Sequence, residues 1–190
     1  VYRFQRRAPL DLTQYPEPPI DDRSGPPLSQ GFLLTMISTI AAEHTKPETL
    51  ERIAHVDPYA WYHGQVLQNI LNEFEDQDPE LPAELGKNMY YMFRDQLHSM
   101  GVRTPADLIQ FLPVMWKHAT RGDSGEWRSE VLGPGRARVE AEQPYNCAFE
   151  EGAVYGSLEA VDAMDVQIAH TQCMRKGAPY CVLEVQWHAE

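Results

Sequence analysis

The chain has 190 residues, 28 acidic and 16 basic, for a net charge of -12 at pH 7. That field repels a phosphate backbone, and no basic patch overrides it: Arg3, Arg6 and Arg7 stand at the N-terminus, while Arg136 and Arg138 alternate on an expected strand. We therefore expect no direct nucleic-acid binding. No apolar run reaches the roughly 20 residues of a membrane span, and no secretory signal is visible. Three cysteines are an odd count for a disulfide framework, so cytoplasmic residence is the expectation. The length suits one domain with one core. Val1 in place of Met suggests a processed chain or a piece of a longer one.

Residues 1–30 hold six of the fifteen prolines and show no helical period, so they are expected to form an extended arm or linker, either loosely ordered or packed across the domain surface. A single domain is expected over 31–190, with a helical half (31–122) and an α/β half (123–190). From Gln30 the period turns helical, with Phe32, Leu33, Met36, Ile37 and Ile40 on one stripe. Pro47 suits the first turn of a short helix through Ala54. A third helix is expected from Tyr59 to Phe74, an acidic loop from Glu75 to Pro82, and a fourth helix from Ala83 to Met100, stopped by Gly101. Thr104 caps a fifth helix running toward His118, with a kink expected at Pro113.

After Gly122 the texture changes. Trp127–Leu132 and Arg136–Glu140 read as strands around the turn Gly133-Pro134-Gly135. Cys147–Phe149 is expected to be short and extended, Ala153–Met164 helical, and Val166–Ala169 and Cys181–Trp187 two closing strands. Helices first and a mostly antiparallel sheet with a crossing helix after them define an α+β fold.

Cys147, Cys173 and Cys181, with His170 just before Cys173, form the one constellation with chemistry in it. Three thiolates and an imidazole would satisfy a closed tetrahedral Zn2+ site with no open position for water. The other reading is three small buried hydrophobes. Residues 170 and 173 face opposite sides of a regular strand, so the strand would have to bend at Thr171-Gln172.

The stretch Cys147-Ala-Phe-Glu-Glu-Gly152-Ala-Val-Tyr-Gly156, followed by Val166-Gln-Ile-Ala-His170-Thr-Gln-Cys173 and the hairpin to Cys181, resembles the C-terminal half of bacterial H-NOX (heme nitric oxide/oxygen binding) domains and the related 4-vinyl-reductase ligand-binding domains. The resemblance covers about 45 residues well, and the helical half only in outline through Glu84-Leu85-Gly86. It implies zinc at Cys147, His170, Cys173 and Cys181. It also implies a regulatory domain that takes a small apolar or aromatic molecule between helices and sheet. Candidates for that pocket are Met89, Met92, Phe93, Phe111, Met115 and Trp116, each of which core packing alone would also explain. Gly152 and Gly156 are expected to let their helix lie close on the sheet.

An H-NOX heme would need a helical proximal histidine, for which His118 stands at a suitable place, and a Tyr-x-Ser-x-Arg motif for the propionates. The matching positions are Glu140, Glu142 and Pro144. Carboxylates there would repel propionates, so no H-NOX-type heme ligation is expected. No GxSxG, P-loop, HExxH or GxGxxG motif occurs, and no enzymatic machinery is visible. The expected function is signalling through a partner protein or a homodimer upon ligand binding. The alternatives are a ligand-free dimerising scaffold, a thiol redox switch, and an atypical heme-based gas sensor.

Overall fold

The computed structural model describes residues 2–189, so Val1, and with it the expectation about the start of the chain, lies outside them. The architecture is α+β, with two four-stranded antiparallel sheets and helices packed between and across them. The first sheet has the order β1-β3-β2-β4 and is made of very short strands: β1 (Gln14–Tyr15), β2 (Leu28–Gln30), β3 (Trp61–His63) and β4 (Thr120–Arg121). The second has the order β5-β6-β8-β7, from β5 (Trp127–Gly133), β6 (Arg136–Ala141), β7 (Gln167–Gln172) and β8 (Cys181–Gln186).

The second sheet follows directly from period-two patterning. On β6, Ala137, Val139 and Ala141 point into the core, where they pair with Val185, Leu183 and Cys181 of β8. The intervening Arg138 reaches Glu184 across the strands at 3.3 Å and Glu140 on its own strand at 3.1 Å.

The helices are α1 (Gly31–Ile40), α2 (Pro47–Ile53), α3 (Gln65–Gln77), α4 (Leu81–Tyr91), α5 (Arg94–Ser99), α6 (Pro105–Ala119) and α7 (Cys147–Ala160). Three expected boundaries shift. Trp61–His63 is a strand rather than the start of α3, because β2 supplies a pairing partner distant in sequence. The fourth helix is broken at Met92–Phe93 into α4 and α5. Cys147–Phe149 is not extended: it opens α7, since the Asn146 side chain caps the amides of Ala148 and Phe149. Thr104 caps α6 with a full capping box, its hydroxyl accepting from the Asp107 amide while Asp107 accepts from the Thr104 amide. Thr104→Ala should cost about 1 kcal/mol in a denaturant titration. The helix runs on through Pro113 to Ala119.

The N-terminal segment makes contacts along α3 and with Tyr145. Phe4 packs on Tyr145 with ring centroids 5.2 Å apart, Asn69 and Asn72 donate to the carbonyls of Ala8 and Arg6, and Arg6 joins Glu75 and Asp76. Glu75 also accepts from Arg175, in the short 3-10 turn Met174–Lys176. Arg175 first, and Arg6 with it, hold this carboxyl down at about 2. One side chain thus ties the arm, α3 and the C-terminal hairpin together.

Helix α7 lies against α4 at backbone contact. A Cβ on Gly152 would stand 2.0 Å from the Ala83 carbonyl oxygen, one on Gly156 2.1 Å from that of Lys87, and one on Gly86 2.2 Å from that of Phe149. The glycines therefore serve a helix–helix crossing rather than the helix–sheet packing expected. No helix among the described residues is long and apolar enough to cross a membrane.

Candidate functional site

A cavity of about 630 Å³ lies among α1, α4, α5, α6, α7 and β5. Its walls are helical stripes. Phe111, Met115 and His118 are spaced i, i+4, i+7 on α6, and Glu150, Ala153, Val154 and Ser157 are spaced i, i+3, i+4, i+7 on α7. Tyr90, Phe93, Leu97 and Met100 complete the wall from the α4–α5 side, Phe32 from α1 and Trp127 from β5. Trp127 stacks on Trp116 at 5.0 Å between ring centroids, and Trp116 donates its indole N–H to the Gly125 carbonyl at 3.2 Å.

Of the six expected pocket residues, Phe93, Phe111, Met115 and Trp116 line the cavity. Met89 and Met92 do not: Met89 is fully buried in the core, and Met92 is 59% exposed. Both follow the helical period, but the break after α4 turns Met92 to solvent.

The polar members of the wall are Glu150, Ser157, Trp127, Tyr90 and the more peripheral Gln30, Gln96 and His118. Glu150 is 5% exposed, and burial first, with the neighbouring Cys147 adding, pushes its carboxyl up to about 8. It is therefore protonated at neutral pH. Burial likewise raises the Tyr90 phenol well above its ordinary value. Ser157 Oγ and Trp127 Nε1 are buried with no hydrogen-bond partner among the described residues. Of these, only His118 was singled out from sequence. The stripe Glu150-Ala153-Val154-Ser157 carried the signal, but a helix begun at Ala153 leaves Glu150 off it.

His118 stands exposed at the edge of this wall. Its Nδ1 lies 2.9 Å from the Val114 carbonyl. A carbonyl only accepts, so Nδ1 is the donor in this contact and Nε2 is the ring nitrogen it leaves unengaged.

The three cysteines converge elsewhere, where the start of α7 meets the β7–β8 hairpin. Their sulfurs all lie within 4.8 Å of one another, a soft donor set able to hold a metal ion. Cys147 and Cys181 share a hydrogen bond at 3.4 Å. This bond and burial raise the Cys147 thiol, whereas Cys181 is lowered by the same bond and, in smaller part, by the Met174 amide. His170 is not in that group. Its Nδ1 meets Glu151 at 3.0 Å on the flank of α7. The expected bend is present, as a register shift between His170 and Gln172, but it turns Cys173 toward the other thiols and leaves His170 outside.

No family profile matches the sequence, and no curated protein matches it significantly. Solved structures do. An H-NOX protein from S. oneidensis in the Fe(II)NO ligation state aligns with a TM-score of 0.67 at 15% identity, covering 84% of this chain and 99% of that one. An unliganded Fe(II) H-NOX mutant from K. algicida aligns at 0.62 and 8% identity, covering 85% and 97%. A structure from work on heme distortion in the H-NOX family aligns at 0.60 and 12% identity, covering 84% and 92%. At these identities the likeness is one of fold.

The cofactor expectation is corrected here. Sequence reading assigned Zn2+ and set heme aside, yet the similar structures are H-NOX domains described with ferrous iron or studied for their heme. The case against heme rested on Glu140, Glu142 and Pro144, and none of the three lines the cavity. Their charge therefore does not decide what the cavity holds.

Proposed function

We propose that this H-NOX-fold domain is a regulatory sensor which takes its signal molecule into the cavity walled by α4–α7 and β5. The observation that carries the reading is the cavity itself: about 630 Å³, apolar-walled, with Glu150, Ser157 and Gln96 among its few polar lining residues. Occupancy would shift the packing of α5 and α6 and so alter contacts with a signalling partner or a second copy of the chain. The role is one of binding and relay, not turnover. A panel of neutral aromatic and lipid-like molecules should include members that raise the melting temperature, by about 2.7 kcal/mol of added stability at a hundredfold excess over Kd. A melting temperature unmoved across the panel, with nothing retained in native mass spectrometry, removes the reading.

His118 favours a second, narrower reading, in which the sensed molecule reaches a heme. Its unengaged Nε2 is the donor atom an axial ligand needs, and Phe111, Met115 and Val154 would face a porphyrin with apolar surface. The lining fits the macrocycle and its axial bond; it contains no Lys or Arg, so the propionates would have to point to solvent. When bound, such a group supplies an iron able to hold a diatomic gas. Reconstitution with hemin should give a Soret band that His118→Ala abolishes. A hemin-treated protein without that band, or one unchanged by the substitution, rejects this version.

A further inference from the structure

Three of the four sheet edges are protected against pairing with another chain. Strands β1 and β4 are only two residues long. Strand β5 carries Arg128 and Glu130 and shifts register between Val131 and Gly133. It also lies against α6, whose Ile109 carbonyl accepts the Ser129 hydroxyl at 2.5 Å. Shortness, charge, a bulge and a covering helix are the ordinary ways of closing an edge.

Strand β7 is left open. Its six residues, Gln167–Gln172, include no Lys, Arg, Asp, Glu or Pro. Its one sheet neighbour is β8, and among the described residues no main-chain hydrogen bond reaches it from any other element. Every second residue of an antiparallel edge strand turns its N–H and C=O outward. The register shift between His170 and Gln172 falls at one end, so Gln167–His170 present these groups on a regular strand. On a chain of net charge -12, this is an uncharged seam.

The two ends of the seam carry opposite charge. Asp165 precedes β7, and Lys176 closes the 3-10 turn after it. Their neighbours Asp162 and Arg175 are engaged by Arg94 and Glu75. Asp165 and Lys176 are exposed and join no ion pair among the described residues. A parallel, in-register pairing of two copies would set like charge on like. Antiparallel pairing about a two-fold axis brings Asp165 of each copy toward Lys176 of the other.

We propose that β7 is a homodimer seam, along which two copies of this chain pair antiparallel to make one eight-stranded sheet. The seam does not depend on what the cavity holds. Helix α7 nevertheless touches both, since it walls the cavity and its Glu151 meets the His170 ring of β7 at 3.0 Å.

Sedimentation of the full chain from micromolar to near-millimolar concentration should show a dimer building up. Amide exchange over Gln167–Gln172 should slow in step with it. Ala169→Lys puts a charge on the seam at an exposed position facing Glu184 of β8, which the fold tolerates. It should raise the dimer dissociation constant about tenfold. Lys176→Glu should raise it about fivefold, and adding Asp165→Lys to that variant should bring it back toward the unaltered value. Only an antiparallel seam predicts that recovery. A chain that stays monomeric across the range overturns the proposal. A dimer that none of these substitutions weakens, or that leaves exchange over β7 unchanged, joins through another face and overturns it too. If Ala169→Lys fails to fold, the exchange measurement and the Lys176→Glu pair of variants still decide.

Discussion

Replacing Glu150 by Gln should stabilise the domain at alkaline pH and leave its stability at acidic pH nearly unchanged. The folded carboxyl titrates at about 8, against an ordinary value of 4.5, because α7 holds it buried beside apolar walls. Between these two values the unfolded chain has released the proton and the folded chain still holds it. Stability contributed by the neutral acid is thus complete below about pH 4.5 and is lost as pH rises through about 8, the reverse of a salt-bridged carboxylate. Across that interval stability falls by about 1.4 kcal/mol for each pH unit, so at pH 9 the loss amounts to a few kcal/mol. The Gln amide has the same shape and no charge to bury. Urea titrations of the two proteins from pH 4 to pH 9 should coincide at the acidic end, diverge from about pH 5 upward and level off above about pH 8, Glu150→Gln being the more stable. Parallel curves would mean that the carboxyl is solvated and that the cavity is open to water.

The second large effect concerns the α4–α7 crossing. Gly152→Ala should lower stability by about 2–3 kcal/mol, the range for overpacking a fixed contact. Helix propensity alone would favour Ala by about 1 kcal/mol, so destabilisation would be a direct signature of the close approach. The added methyl would stand 2.0 Å from the Ala83 carbonyl oxygen, which belongs to backbone and cannot rotate away. For a chain of this size the melting temperature should fall by about 5–10 °C. Gly156→Ala, facing the Lys87 carbonyl at 2.1 Å, should behave the same way. An unchanged or raised melting temperature in both would mean that the two helices sit farther apart. Because α7 also walls the cavity, either change should weaken any ligand that raises stability in the unaltered chain.

Much of the fold is legible because its elements have strong local periods. The α1 stripe, the Thr104 cap, the Gly133-Pro134-Gly135 hairpin and the β6–β8 alternation all state their structure within a few residues. The elements that escape are those whose partner is remote. Trp61–His63 becomes a strand only because Leu28–Gln30 and Gln14–Tyr15 pair with it, and residues 1–30 look unstructured until α3 offers them Asn69, Asn72 and Glu75. Helix α7 is hard to see for another reason. It is buried on most of its circumference, so no polar face marks its period.

The sites divide along the same line. That three cysteines would meet was implied by the resemblance of their stretches to H-NOX domains rather than by spacing, and the sulfurs do lie within 4.8 Å. That His170 would join them does not follow, because one extra residue in a strand decides which face a side chain takes, and Glu151 is there to receive it. Composition, charge and the elements of strong local period belong to the sequence alone, since each depends on neighbours a few residues away. The cavity belongs to the tertiary structure. Glu150, Ser157, Trp127, Phe93 and His118 come from four separate stretches of chain, and only packing decides which of their polar groups are left without a partner.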